Sequence, residues 1–108
     1  MMQVVIQPTK SKNKKLEAVI DGKKTVPFGQ KNASDFTLNK NPEIKARYIN
    51  RHEKREDWTK SGINTACFYS KHVLWNKETI QKSVNDLNKK YKPVFFFNID
   101  IWTYLHLW

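Results

Sequence analysis

Arg47, Arg51 and Arg55 are the only arginines in the sequence, and they fall four residues apart. On a helix each such step rises about 6 Å and turns about 40° beyond a full circle, so all three would share one stripe. Guanidinium groups make bidentate, charge-assisted bonds to phosphate oxygens, and a row of them can follow an acidic polymer. Lys54 and His52 flank the stripe, and Lys60 follows in a turn-prone stretch. Arg51 and Arg55 are like charges at i, i+4, an arrangement that is mildly unfavourable without an anionic neighbour. Arg47, Arg51, Arg55, Lys54 and Lys60 are therefore the candidate nucleic-acid-binding residues. Two other readings fit the same stripe. It could meet a carboxylate-rich protein surface, or it could be a solvated face paired with Glu43, Glu53, Glu56 or Asp57. Tyr48, Trp58, Phe68, Tyr69 and Trp75 lie near basic residues and could stack on bases, although aromatics in so small a domain are more often core.

Catalytic chemistry finds little support. Cys67 and His72 are five residues apart, which on a helix points them about 140° from each other, with no orienting Asp or Asn beyond. His52, His72 and His106 share no metal-ligand spacing. Three glycines in the whole chain leave no phosphate-cradling loop and no dinucleotide fingerprint. The expectation is a protein that is not an enzyme and uses no cofactor or metal. One cysteine excludes an internal disulfide and fits a reducing compartment. The residues before Pro8 lack the basic start of a signal peptide, so an intracellular product is expected.

Charge dominates the composition: 20 Lys and Arg against 10 Asp and Glu give +10 in 108 residues. Part of this excess can reflect codon bias, because 17 Lys, 10 Asn and eight Ile are what an A+T-rich genome writes. The field exists whatever its origin and draws polyanions at low salt. It is also uneven. Residues 1–93 carry +11, whereas 94–108 hold one charge, Asp100, and 11 apolar residues, six of them aromatic. A basic domain over 1–93 and an apolar tail over 94–108 are the expected divisions. The tail falls short of the roughly 20 apolar residues that a membrane-spanning helix needs.

The elements that must position the candidate residues follow from local signals. Gln3 to Gln7 is β-like. A β-hairpin is expected over 16–28, because Asp21-Gly22 suits a two-residue turn with both φ angles positive. A short turn follows Ser34-Asp35. Asn41-Pro42-Glu43 starts a helix with a cap, Pro at its first position and an acid in its first turn. That helix is expected to reach Glu56. A second helix is predicted over Asn64 to Trp75. A third begins near Asn76 or Lys77, with Ile80, Val84, Leu87 and Tyr91 on one face, and stops at Pro93. From Val94 the apolar residues alternate as in a strand, either pairing at the sheet edge or left poorly ordered. The fold class is thus α+β: an N-terminal antiparallel hairpin or meander, then two or three short helices and a β-like tail. The expected core is Val19, Val26, Phe28, Tyr48, Ile49, Trp58, Phe68, Leu74, Trp75, Ile80, Val84 and Leu87.

Several words of the central block are unusual, notably Ser34-Asp35-Phe36-Thr37, Arg47-Tyr48-Ile49, Lys54-Arg55-Glu56-Asp57-Trp58, Lys60-Ser61-Gly62-Ile63 and Leu74-Trp75-Asn76-Lys77. Over about residues 16–91 the chain resembles a family of small basic proteins, a domain of unknown function, encoded by large nucleocytoplasmic DNA viruses. It departs from that pattern at Cys67, where Gly is expected, and at Glu78, where Pro often stands. The resemblance implies a viral setting, in virions or host cytoplasm, and names no activity or catalytic residue. Together with the charge it leads to a nucleic-acid-binding protein without base specificity, with DNA ahead of RNA. The alternative is a virion structural or minor capsid piece that docks on acidic capsid or core proteins, with self-association through 94–108. The tail lies outside the resemblance, so the domain is expected to fold without it.

Overall fold

The computed structural model describes residues 2–91 and 94–98. Three strands open the chain: β1 (Gln3–Pro8), β2 (Lys14–Ile20) and β3 (Lys24–Gln30). The β2–β3 hairpin turns on Asp21 and Gly22, at φ 53° and 66°, and Lys23 N–H donates to Ile20 O across 2.9 Å. Both residues take the positive φ expected of the Asp-Gly pair, but the register sets Ile20 opposite Lys24, so the loop spans three residues where two are expected, and the hairpin runs from Lys14 to Gln30, two residues beyond 16–28 at each end. Antiparallel pairing sets Ile6 beside Ala18 and Leu16 beside Phe28. One face of the sheet therefore presents Val4, Ile6, Leu16, Ala18, Ile20, Val26 and Phe28, all buried.

A fourth strand, β4 (Val94–Phe97), lies parallel to β1 and completes the order β3-β2-β1-β4. The opening residues of the apolar tail are thus an edge strand of the sheet. Phe95 sits beside Val4 and is 2% exposed. Its backbone on the outer edge is closed by Asn88: Phe95 N–H donates to Asn88 Oδ1 (2.8 Å), and Asn88 Nδ2 donates to Phe95 O (2.9 Å). One amide thus stands in for a neighbouring strand where an open edge would invite pairing. The tail beyond Asn98, and the Pro93 stop, lie outside the described residues.

The helices cover one sheet face. They are α1 (Phe36–Asn39), α2 (Pro42–His52), α3 (Ala66–Tyr69), which continues as a π-turn over Ser70–Leu74, and α4 (Ile80–Lys90). Phe68, Tyr69, Val73, Leu74, Ile80, Val84 and Leu87 pack onto the inner sheet face. Val19, expected in the core, instead joins Val5 and Thr25 on the opposite face, because the period of two that buries Leu16, Ala18 and Ile20 turns it outward. Ile49 and Trp58 pack at the core margin, half-buried. Tyr48, Phe68, Tyr69 and Trp75 are buried, so these aromatics hold the core and offer no stacking platform.

Two helix boundaries differ from expectation. α2 ends at His52, four residues short of Glu56: residues 53–55 form a turn closed by Arg55 N–H on His52 O (3.0 Å), and beyond it the Glu56 carboxylate accepts from His52 Nδ1 (2.6 Å) and from Trp58 Nε1 (2.9 Å). α4 starts at Ile80, since Thr79 is the residue whose hydroxyl caps it, accepting from Lys82 N–H at 3.1 Å. Between α2 and α3 a 3-10 turn, Lys60–Gly62, brings the chain so close to Asp57 that a Cβ on Gly62 would stand 2.0 Å from Asp57 O.

Candidate functional site

α2 carries two of the three predicted arginines, Arg47 and Arg51, and its orientation is set from both ends. Asn41 Oδ1 accepts from Glu43 N–H (2.9 Å) and Ile44 N–H (3.4 Å), which fixes the first turn. The buried Tyr48 ring is stacked between His52 (4.3 Å) and Trp75 (4.5 Å), which turns the opposite side of the helix to solvent. Arg47 and Arg51 lie on that exposed side. Arg55 does not extend their stripe: it follows the helix end, where its N–H closes a turn on His52 O (3.0 Å). Lys54 lies in the same turn and Lys60 opens the 3-10 turn, both exposed. Among the described residues no arginine has a carboxylate within 4 Å, so the pairing with Glu43, Glu53, Glu56 or Asp57 that a solvated face allows is not formed. Arg51 also lines a groove of about 360 Å³ with Lys14, His52, Glu56, Cys67 and Ser70.

A second basic surface has no signature in the sequence. Lys45 comes from α2, Lys71 from the π-turn, Lys77 from the following loop and Lys90 from α4, and they gather around one carboxylate, Asp86. Lys90 pairs with Asp86 at 2.9 Å, and Asn76 Nδ2 donates to the same oxygen at 2.9 Å. The Lys45 ammonium donates to Asn76 O (2.6 Å) and lies over the Phe36 ring at 4.9 Å. Lys71 lies over the Trp58 ring at 5.6 Å. Burial lowers the pKa of Lys45, and the nearby charges of Lys77 and Lys90 lower it further. Burial does the same to Lys71, joined by Lys90, Lys45 and Lys77. Burial alone would raise Asp86, but hydrogen bonds from Asn76 and Lys90 and the charges of Lys90 and Lys77 hold it below the usual carboxylate range. Lys77, Lys82, Asp86 and Lys89 also line a shallow pocket of about 280 Å³. The four converging lysines stand at uneven spacings on separate elements, so only the overall lysine excess could have hinted at them.

Burial raises the Cys67 thiol, and the Glu56 carboxylate raises it further, which keeps it protonated. His72 is turned to Trp58 O, donating through Nε2 at 2.8 Å. Tyr69 Oη and His72 Nδ1 are buried without a hydrogen-bond partner among the described residues. No cluster of three or more His, Cys, Asp or Glu among those residues could hold a metal ion, and no helix among them is long and apolar enough to cross a membrane.

Residues 4–52 match a family of unknown function (DUF5754). The matched segment runs from β1 to the end of α2 and so includes Lys45, Arg47 and Arg51, while Lys71, Lys77 and Lys90 lie beyond it. No curated protein and no solved structure matches the chain.

Proposed function

We propose that this protein binds nucleic acid through its phosphates, without base specificity and without catalysing a reaction, in the viral setting that its resemblance implies. The observation that carries this reading is the hub of Asp86 and Asn76: Lys90 pairs with Asp86 at 2.9 Å, Asn76 donates to Asp86 at 2.9 Å and accepts Lys45 on its carbonyl at 2.6 Å, and Lys71 and Lys77 share the same field. Burial and the neighbouring ammonium charges lower Lys45 and Lys71, so these two charges are held at a cost that a polyanion relieves. Arg47 and Arg51 supply guanidinium forks on the exposed face of the same α2 that carries Lys45. Lysine ammonium groups act as point charges toward phosphate, and phosphate contacts carry no sequence information, which suits binding without sequence preference.

The test is the salt dependence of binding to random-sequence duplex DNA, read by fluorescence anisotropy. Log K falls by about 0.9 per phosphate neutralised for each decade of salt. Replacing Lys71, Lys77 and Lys90 by Gln should flatten that slope by up to about three, and Arg47→Gln with Arg51→Gln by up to about two. Wild-type protein with no measurable duplex affinity, or variants with an unchanged slope, would overturn the reading. A second reading, a structural piece docking on another protein, is favoured by Phe96. Its side chain is 47% exposed beside Val5 on the uncovered sheet face. Recovery of the protein in purified particles, with no affinity for DNA, would select that reading instead.

A further inference from the structure

The Ser34-Asp35-Phe36-Thr37 run is distinctive in sequence, and beyond the seat that Phe36 gives Lys45 it has a second role. It builds the wall of a pocket. Asp35 is 2% exposed and caps α1, accepting from Thr37 N–H at 2.8 Å and from the Thr37 hydroxyl, and it also pairs with Lys15 Nζ at 2.5 Å. This fixes α1 against the start of β2. Between them opens a pocket of about 420 Å³ with an apolar floor of Leu16, Leu74 and Ile80. That volume falls within the range of small-ligand sites. Leu38 lines the pocket and is 66% exposed.

The rim of the same pocket is cationic. Lys14 pairs with Gln30 across the hairpin, and Lys31 N–H donates to Asn13 O (3.0 Å), so both lysines stand at one end of β2 and β3. Both are exposed, and among the described residues neither has a carboxylate within 4 Å. Lys15, by contrast, is already occupied by Asp35 and Ala33 O. Thr9 and Ser11 also line the pocket, and Ser11 N–H donates to the Thr9 hydroxyl at 3.2 Å. Lys14 also borders the neighbouring groove that Arg51 lines, so positive charge continues from one recess into the next.

We infer that this pocket takes an unstacked base of single-stranded nucleic acid, with Lys14 and Lys31 on its flanking phosphates. The occupant must bring an apolar body and a negative charge within the reach of one lysine side chain, and a nucleotide joins the two covalently. A base held in a duplex cannot enter such a recess, whereas a single strand presents its bases freely. The inference rests on the nucleic-acid reading above and adds a strand preference to it.

The experiment compares oligothymidylate with a duplex of matched phosphate count, using wild-type protein, Leu38→Ser, and the pair Lys14→Gln and Lys31→Gln. Leu38 is exposed on a single helical turn, so its replacement leaves the core intact, and a thermal melt checks this. Wild type should favour the single strand. Leu38→Ser should lose about fivefold in affinity for the single strand only, with an unchanged salt slope. The lysine pair should flatten the single-strand slope by up to about 1.4. Equal affinity for both strand forms, or a Leu38→Ser loss shared by the duplex, would overturn the pocket assignment and leave phosphate binding standing. Binding of neither form would overturn both.

Discussion

Moving from pH 7 to pH 5 should cost this fold about 2 kcal/mol through one side chain, His72. The ring is 4% exposed and packs against Phe68 at 4.4 Å and Tyr91 at 5.6 Å. Nε2 donates to Trp58 O, so protonation would place the second N–H at Nδ1, which has no acceptor among the described residues. Burial lowers the pKa from 6.5 to about 4; the bond to Trp58 O and the charge of Asp86 oppose this, while Lys71 and Lys90 add to it. The unfolded chain takes up its proton as pH falls through 6.5, and the folded chain resists until about 4. Stability contributed by neutral His72 is therefore complete above 6.5 and declines through the interval between those values, by about 1.4 kcal/mol per pH unit. Asp57 and Asp86, held below the usual carboxylate range, lose their contribution only at lower pH and stay silent in this window. Urea or thermal unfolding at closely spaced pH values reads the effect, with a fall in Tm of roughly 10 °C. His72→Gln should start less stable but lose this slope. A wild-type midpoint that stays flat from pH 7 to 5, or an equal fall in His72→Gln, would refute the reasoning.

Phe95→Ala should cost about 3–5 kcal/mol, because the ring is fully packed beside Val4, and urea unfolding measures it. Truncation after Lys92 removes the same ring with all of β4 and tests directly whether residues 1–93 suffice; loss of a cooperative melt is the expected outcome. Gly62→Ala should destabilise by about 2–3 kcal/mol, since the new Cβ would meet Asp57 O at 2.0 Å and the 3-10 turn would have to open. A Gly62→Ala midpoint within error of wild type would show that this turn moves freely.

Among the candidate residues, the structure separates those that sequence periodicity could place from those it could not. Arg47 and Arg51 share a helix and keep the spacing relation expected of them. Arg55 loses it because the chain after His52 tightens into a turn closed by Arg55 N–H on His52 O, which the spacing of the arginines does not signal. The pocket bounded by Leu38, Lys14 and Lys31 depends likewise on the Lys15–Asp35 ion pair, which joins positions 20 residues apart.

The sequence by itself determined what neighbouring residues decide among themselves. Asp21-Gly22 specified the hairpin turn, because both residues tolerate positive φ. Asn41-Pro42 specified the start of α2, through a side-chain acceptor and a preset φ. The alternation of the strands and the period of α4 specified which elements form, and so the α+β class. What these signals left open was settled by contacts between distant parts of the chain. The face on which Val19 lies depends on strand register, since a shift of one residue exchanges the two faces of the sheet. The parallel place of β4 beside β1 follows from the seat that Val4 and Asn88 provide for Phe95. The lysines around Asp86 come together only because the π-turn and α4 pack together on the sheet and α2 is seated beside them through Tyr48 on Trp75, so their shared field is a product of tertiary packing and leaves no mark in residue spacing.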